Sequence, residues 1–361
     1  MTRIHLDHVT RQFEPSSFAV AGLDLHLADG EFVSLVGPSG CGKSTALRIL
    51  AGFETPDDGH VIVDDDIVDD VPPHDRGFAM VSNADTMLPG RTARSNIAFP
   101  LELRARPRSE VELRVELEAA SLSISHLLER RRSELSAGER QAVQMARSLV
   151  TRPRFLLLDE PFMRLDPQLK ERFRGDLMTL QRHYGITTLL VTADQTDARS
   201  LSDRMAVLDR GHLQQAGTPA DIYERPVNTM VAGFVGEPAM NMIDVAVEAT
   251  GDERWYRIGN LRVRAYPEVT ARYVGRTLTV GLRPEHLRLD ATGPNRLAGR
   301  VESARSRGAH RIVGVSIGDV SLSALTRSGA PRIGDMAALG FEPRHFHLFD
   351  PTSGAALFHP T

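Results

Sequence analysis

The chain has 361 residues, 41% hydrophobic and 25% charged, with a net charge of −4. That composition suits a globular protein of two domains and argues against nucleic-acid binding by bulk electrostatics. A single cysteine excludes an internal disulfide framework and suits a reducing compartment.

In chain order, residues 1–36 read as β-rich and close with Phe32-Val33-Ser34-Leu35-Val36, a buried strand. Met1-Thr2-Arg3-Ile4-His5 has no apolar signal-peptide core, and no apolar run approaches about 20 residues. A role at a membrane is therefore expected to run through a partner. Next comes Gly37-Pro38-Ser39-Gly40-Cys41-Gly42-Lys43-Ser44-Thr45, which fits G-x-x-x-x-G-K-[ST], followed by a helix beginning Ala46-Leu47-Arg48-Ile49-Leu50. Glycines at this spacing let backbone N–H groups converge on a phosphate, where the helix N-terminus adds favourable partial charge. Lys43 is placed to reach the terminal phosphates of a nucleoside triphosphate, and Ser44 to offer its hydroxyl to Mg²⁺. A Gly-rich turn without a ligand is the bland alternative, and the flanking strand and helix disfavour it. Cys41 is either a small filler or a thiol made more acidic by the helix N-terminus and shielded by ATP.

Asp64-Asp65-Asp66 and Asp69-Asp70 read as a solvated hairpin edge. A charge-rich helical segment is expected at about 97–135, with Arg130-Arg131-Arg132 as a solvated face. Phe155-Leu156-Leu157-Leu158, Thr187-Thr188-Leu189-Leu190-Val191 and Met205-Ala206-Val207-Leu208 read as strands of a parallel sheet wrapped by helices. The first delivers Asp159 and Glu160 to its C-terminal end, where such sheets place ligands. Asp159 can hold Mg²⁺ through water, and Glu160 can orient or deprotonate an attacking water. Beyond about Gly236 the chain turns to short alternating segments punctuated by Gly and Pro, as in a small β-barrel or sandwich. This sets the expected domains at 1–236 and 237–361.

Leu135-Ser136-Ala137-Gly138-Glu139-Arg140-Gln141 reads by itself as a helix start, since Ser136 and Glu139 have capping-box spacing. It also closely resembles the LSGGQ signature of ABC-type ATPases. Phe234-Val235-Gly236-Glu237-Pro238-Ala239-Met240-Asn241 resembles the interdomain junction of carbohydrate-importer ATPases of the maltose type. Gly281-Leu282-Arg283-Pro284-Glu285-His286-Leu287 and Phe346-His347-Leu348-Phe349-Asp350 resemble landmarks of their regulatory domain. Without that resemblance, His345 and His347 are simply alternating strand side chains. The resemblance implies an α/β P-loop ABC ATPase domain with a RecA-like core and a helical subdomain at about 84–150. A β-rich regulatory domain like an oligonucleotide/oligosaccharide-binding fold follows. It implies that Phe13 stacks on adenine, that Leu165-Asp166 ends the D-loop, and that Ser136, Ala137, Gly138 and Glu139 face ATP held by an opposing subunit. ATP and Mg²⁺ are then the cofactors, with Ser44, Asn83 and Asp159 around the metal. The implied partners are two membrane permeases, a second ATPase subunit (the same chain or a paralogue) and, indirectly, an external solute-binding protein. The subunit would lie peripherally on the cytoplasmic face of the membrane and energise import of sugars or glycerol-phosphate compounds.

Several residues depart from the family pattern. Ala193 stands where a histidine contacts the γ-phosphate, so a transition-state donor is lost outright. Asn83 replaces a glutamine and reaches about 1.5 Å less far. In the signature, Ala137 replaces a glycine and Glu139 puts an acid near phosphate, unfavourable unless it turns back to cap the helix. Met163-Arg164 occupies the D-loop, and Asp85 and Gly90-Arg91 change the surface on which a permease would dock. Lys43, Ser44 and Asp159 are retained. The pattern predicts a catalytic site built on Glu160, Asn83 and Ala193 that binds ATP and hydrolyses it slowly. The alternative is a degenerate regulatory subunit paired with a competent paralogue.

Overall fold

The computed structural model describes residues 3–14, 17–258, 261–265, 267–289, 295–327, 329 and 331–360. They form two compact units, residues 1–219 and 220–361.

The first unit opens with β1 (Ile4–Glu14) and β2 (Ser17–Leu27), then β3 (Phe32–Val36), α1 (Lys43–Ala51), β4 (Asp58–Val63), β5 (Asp66–Ile67) and β6 (Phe78–Val81). Next come α2 (Ala93–Leu103), α3 (Arg108–Ser121), α4 (Ala137–Leu149), β7 (Phe155–Asp159), α5 (Pro167–Tyr184), β8 (Thr187–Thr192), α6 (Gln195–Leu201), β9 (Arg204–Asp209) and β10 (His212–Gly217). One sheet is antiparallel, in the order β2-β1-β4-β5; the other runs β10-β9-β3-β8-β7-β6 and is parallel except for β10. The parallel strands β3, β7, β8 and β9 are buried on both faces, which explains their unbroken apolar runs, and the edge strand β6 is half-buried. Alternation then divides each strand between two cores. Val33, Leu35, Phe155, Leu157, Leu189 and Val191 pack with α1 and the antiparallel sheet, whereas Phe32, Leu156, Leu158 and Leu190 pack with α2 to α5.

The helical stretch expected at about 97–135 is broken. Pro107 starts α3 after a turn, and short 3₁₀ turns at Ser125–Leu127 and Arg132–Glu134 precede α4. Arg132 is more than a solvated charge, since it and Arg140 both pair with Asp85 at 2.9 Å. Among the described residues no helix is long and apolar enough to cross a membrane.

The second unit holds most of α7 (Pro219–Glu224), then α8 (Thr229–Phe234), β11 (Asn241–Thr250), β12 (Glu253–Ile258), β13 (Leu261–Arg264), α9 (Pro267–Thr270), β14 (Thr277–Leu282) and β15 (Arg288–Leu289). It ends with β16 (Arg296–Arg307), β17 (His310–Ile317), β18 (Val320–Thr326), β19 (Met336–Gly340), β20 (His347–Phe349) and β21 (Ala356–Phe358). Two antiparallel sheets, β13-β12-β11-β14-β20-β21 and β15-β19-β16-β17-β18, share one core that includes Val245, Tyr256, Val280, Val313, Leu339 and Leu348. The buried Arg283 fastens the segment before this barrel-like body. Its guanidinium donates to the carbonyls of Tyr223, Ala232 and Val235 and lies 3.8 Å from the Tyr223 ring centroid. Residues 220–236 therefore group with the C-terminal unit, ahead of the junction near Gly236 read from composition. His345 is in a 3₁₀ turn, Pro343–His345, and not in a strand; its ring stacks on His286 with centroids 4.2 Å apart. His347 is a buried strand residue, and burial pushes its pKa down to about 3.

Candidate functional site

Four neighbouring parallel strands end side by side. Register pairs Val36 with Thr192, Val191 with Asp159, and Leu158 with Val81. The carboxyl ends of β3, β8, β7 and β6 thus bring the phosphate loop, Thr192-Ala193, Asp159-Glu160 and Ser82-Asn83 to one edge, where open α/β sheets place ligands.

The loop from Gly37 to Gly42 needs its glycines. Gly37 and Gly42 have φ of 155° and 108°, and a Cβ on them would lie 2.0 Å from Leu208 O and 1.9 Å from Ala19 O. Helix α1 then starts with no side-chain cap and no acid in its first turn. By contrast, α2, α4, α5 and α6 are capped by Thr92, Ser136, Asp166 and Asp194, and α3 has Glu110 in its first turn. The first N–H groups of α1, from Lys43 through Thr45, thus suit an external anion. At its other end, Arg76 donates to the carbonyls of Ile49 and Leu50, both at 2.9 Å, and so anchors the helix. Ser39 and Gly40 are exposed at the loop tip.

Lys43 Nζ donates to Gly37 O at 2.8 Å and Pro38 O at 2.9 Å, bonds that a bound phosphate would replace. Cys41 is only 4% exposed and belongs to the core beside α1. Burial raises its thiol pKa, against the lowering expected from the helix N-terminus, because desolvation outweighs the nearby Lys43 charge.

Ser44 Oγ donates to Asp159 Oδ1 at 3.1 Å. This juxtaposes a hydroxyl and a carboxylate, oxygen groups of the kind Mg²⁺ takes, with the carboxylate available to a water on the ion. Burial raises the Asp159 pKa, opposed by the Ser44 bond and the Lys43 charge. Asn83 follows β6 and is half-buried.

Glu160 has φ of 48°, a left-handed conformation that costs a non-glycine residue about 1–3 kcal/mol. That turn aims its carboxylate at the end of β8. Ala193 N–H donates to Glu160 Oε1 at 2.7 Å and Thr192 Oγ1 donates to Oε2 at 3.1 Å. No sequence motif marks Thr192, because its importance lies in a hydrogen bond across two strands. The Asp194 carboxylate is engaged by Lys170 at 2.6 Å and by the first turn of α6, with Thr196 N–H at 2.8 Å and Asp197 N–H at 3.2 Å.

Ser136, Ala137, Gly138 and Glu139 form the start of α4, which packs on α2, α3 and β6. Glu139 turns back as the capping box requires. Ser136 N–H donates to Glu139 Oε2 at 2.7 Å, and Glu139 N–H donates to Ser136 Oγ at 3.2 Å. The first of these bonds lowers the Glu139 pKa. A Cβ on Gly138 would sit 3.1 Å from Leu169 Cδ2, a tight fit at the base of α5. Phe13 lies on β1, 58% exposed, with the Arg11 guanidinium 5.0 Å from its ring centroid. Met163 is 61% exposed beside Arg164, and Leu165 and Asp166 lead into α5.

Comparison with known proteins agrees with this geometry. The ABC transporter family matches residues 20–163, the MalK OB fold domain 236–287 and the TOBE domain 280–349. The trehalose/maltose import ATP-binding protein MalK of Thermococcus litoralis is 41% identical over 358 residues, covering 94% of this chain and 95% of that protein. The chain belongs to the ABC transporter family of import ATP-binding proteins. The sn-glycerol-3-phosphate import ATP-binding protein UgpC of Bordetella pertussis is 37% identical over 361 residues, 98% of each chain. An ATP-binding cassette solved as a dimer in a post-hydrolysis state with ADP and Pi is 27% identical, with a TM-score of 0.55 over 60% of this chain and 98% of that one. As an ABC ATPase, the chain pairs its nucleotide fold with the MalK-type OB and TOBE domains.

Proposed function

We propose that this chain energises import of a sugar or a glycerol-phosphate compound and hydrolyses ATP slowly. The arrangement that carries the reading is the strand-end cluster in which Glu160, clamped by Thr192 and Ala193, stands on β7 next to the Ser44–Asp159 pair. Lys43 and the backbone N–H groups from Ser39 to Thr45 hold the phosphates of ATP, and Phe13 stacks on its adenine. Ser44, Asn83 and, through water, Asp159 would hold Mg²⁺, which when bound would neutralise phosphate charge. Glu160 accepts the proton of the attacking water. Ser136, Ala137, Gly138 and Glu139 face the nucleotide of a second ATPase subunit. Glu139, already engaged by Ser136, keeps its charge turned into the helix start. Hydrolysis is slow because position 193 brings only a backbone N–H, and Asn83 has a short reach.

The subunit works as a dimer on the cytoplasmic face of the membrane beneath two permeases, with a solute-binding protein outside. The two relatives carry different solutes in their names, trehalose/maltose and sn-glycerol-3-phosphate, which supports a substrate of that class. Residues 1–219 form the ATPase part, and the C-terminal unit regulates it. Calorimetry with ATP and Mg²⁺ tests the energy source. The wild-type chain should bind and be thermally stabilised, and Lys43→Ala should lose both, since a ligand specific to the folded state stabilises it by mass action. A wild-type chain that binds no nucleotide would sink the proposal. Transport by proteoliposomes reconstituted with the cognate permeases and solute-binding protein then separates sugars from glycerol phosphates.

A further inference from the structure

The antiparallel sheet of the first unit has an inner face and an outer face set by strand alternation. Inward residues Ile4, Leu6, Leu23, Leu25, Leu27 and Val61 are all buried. The outward positions beside them carry His5 and Asp7 on β1, Asp24 and His26 on β2, and His60 and Ile62 on β4, with Ile62 opposite His5 on the side away from β2. Register places His5 directly opposite His26. Their rings stack with centroids 3.6 Å apart at 15°. His5 Nε2 lies 2.8 Å from Asp24 Oδ1 and 3.9 Å from Asp7 Oδ1. One donor atom from each of His5, Asp24 and His26 lies within 4.8 Å of the other two.

We propose that His5, Asp24 and His26 bind a divalent transition-metal ion of the zinc class, with water completing the coordination. Two imidazoles and a carboxylate select Zn²⁺-like ions over Mg²⁺ or Ca²⁺, which take oxygen ligands. Zinc bonds of about 2.0–2.1 Å in a tetrahedron need donor atoms about 3.3 Å apart. His5 Nε2 and Asp24 Oδ1 are 2.8 Å apart and the three donor atoms lie within 4.8 Å of one another, so the site forms when the stacked rings turn their nitrogens toward a common point. Cross-strand neighbours on one face start with Cβ atoms about 4.5–5.5 Å apart, and the paired backbone fixes that spacing before metal arrives. The Arg204 guanidinium, which donates to His26 O, is also paired with Glu31, so its charge is already compensated. The ion would cross-link β1 to β2 at the end of the ladder away from the hairpin turn. His60 is held by Asp69 at 2.8 Å, and His8 by Asp7 at 2.8 Å, which makes both suitable controls.

The test is titration of ZnCl₂ into the full chain, free of any affinity tag, stripped of metal and without nucleotide. Heat is read by calorimetry, and Co²⁺ serves as an optical probe. We expect one Zn²⁺ per chain and tetrahedral Co²⁺ bands without a thiolate charge-transfer band. His26→Ala and His5→Gln should each weaken binding at least about tenfold, while His8→Ala and His60→Ala change it less than about twofold. Zn²⁺ should raise the thermal midpoint of the wild type and leave that of His26→Ala unmoved. Absence of Zn²⁺ binding, or undiminished binding in two variants whose circular dichroism matches the wild type, would overturn the proposal. A thiolate band would do the same by assigning the ion to Cys41.

Discussion

Replacing Ala193 by histidine is expected to raise ATP turnover by about ten- to a hundredfold with little change in ATP affinity. A donor aimed at transition-state charge is worth about 2.7–4 kcal/mol, or roughly 10²–10³ in rate. This loop already supplies part of that. Position 193 gives its backbone N–H to Glu160 Oε1 at 2.7 Å whatever its side chain, and Thr192 reaches Oε2 at 3.1 Å. The carboxylate is thus oriented without an imidazole, which brings the expected gain below the full range. Ala193 is exposed, so a ring there displaces no core packing. The Asp194 carboxylate is committed to Lys170 and the start of α6 and is not a ready substitute. The assay is phosphate release at saturating ATP–Mg²⁺ by the transporter assembled in lipid with its solute-binding protein, and nucleotide affinity is measured separately. Adding Asn83→Gln should exceed either change alone, since in the proposed site both groups would serve one γ-phosphate. Thr192→Val should slow the parent about tenfold or more, because hydrogen bonds to charged groups are worth about 1.5–3 kcal/mol. A wild-type complex that turns over as fast as Ala193→His would refute the reasoning and show that the Glu160 clamp is sufficient.

Cys41 should alkylate slowly at neutral pH and faster as pH rises, since burial holds its thiol pKa up; mass spectrometry showing fast labelling of the native chain at neutral pH would contradict the packing. Glu118 is 4% exposed, its Oε1 has no hydrogen-bond partner, and burial raises its pKa to about 7. A carboxyl that binds its proton more tightly when folded contributes stability below its unfolded pKa near 4.5 that is lost as pH rises through about 7. Urea denaturation should therefore show Glu118→Gln gaining on the wild type between mildly acidic and mildly alkaline pH by at most about 3 kcal/mol, and parallel pH profiles would count against a buried carboxyl. Fragment 220–361 should fold cooperatively, whereas 237–361 should lose about 3–5 kcal/mol because the buried Arg283 is stripped of its carbonyl partners; equal melting of the two would place the boundary at Gly236 after all.

What could be read along the chain was whatever contiguous residues specify. The phosphate loop is a local pattern of glycines between an apolar strand and a helix, and Phe155 to Glu160 announces a buried strand ending in acids. Capping of α4 by Ser136 and Glu139 is likewise a matter of residues three apart. Strand order is a different kind of fact. Only when β8 lies between β3 and β7 does Glu160 meet Thr192 and Ala193, more than thirty positions along the chain. Composition could not show that Asp85 gathers Arg132 and Arg140, or that Arg283 claims the carbonyls before the junction, because ion pairs and caps between distant segments leave no periodic trace. Neighbours in sequence leave Cys41 open between a packed filler and an acidified thiol, and the surrounding core decides for the filler by desolvating it. The pairing of His5 with His26 belongs to the same class. It exists only in the register that β1 and β2 adopt, and a slip of one residue would send one ring to the inner face.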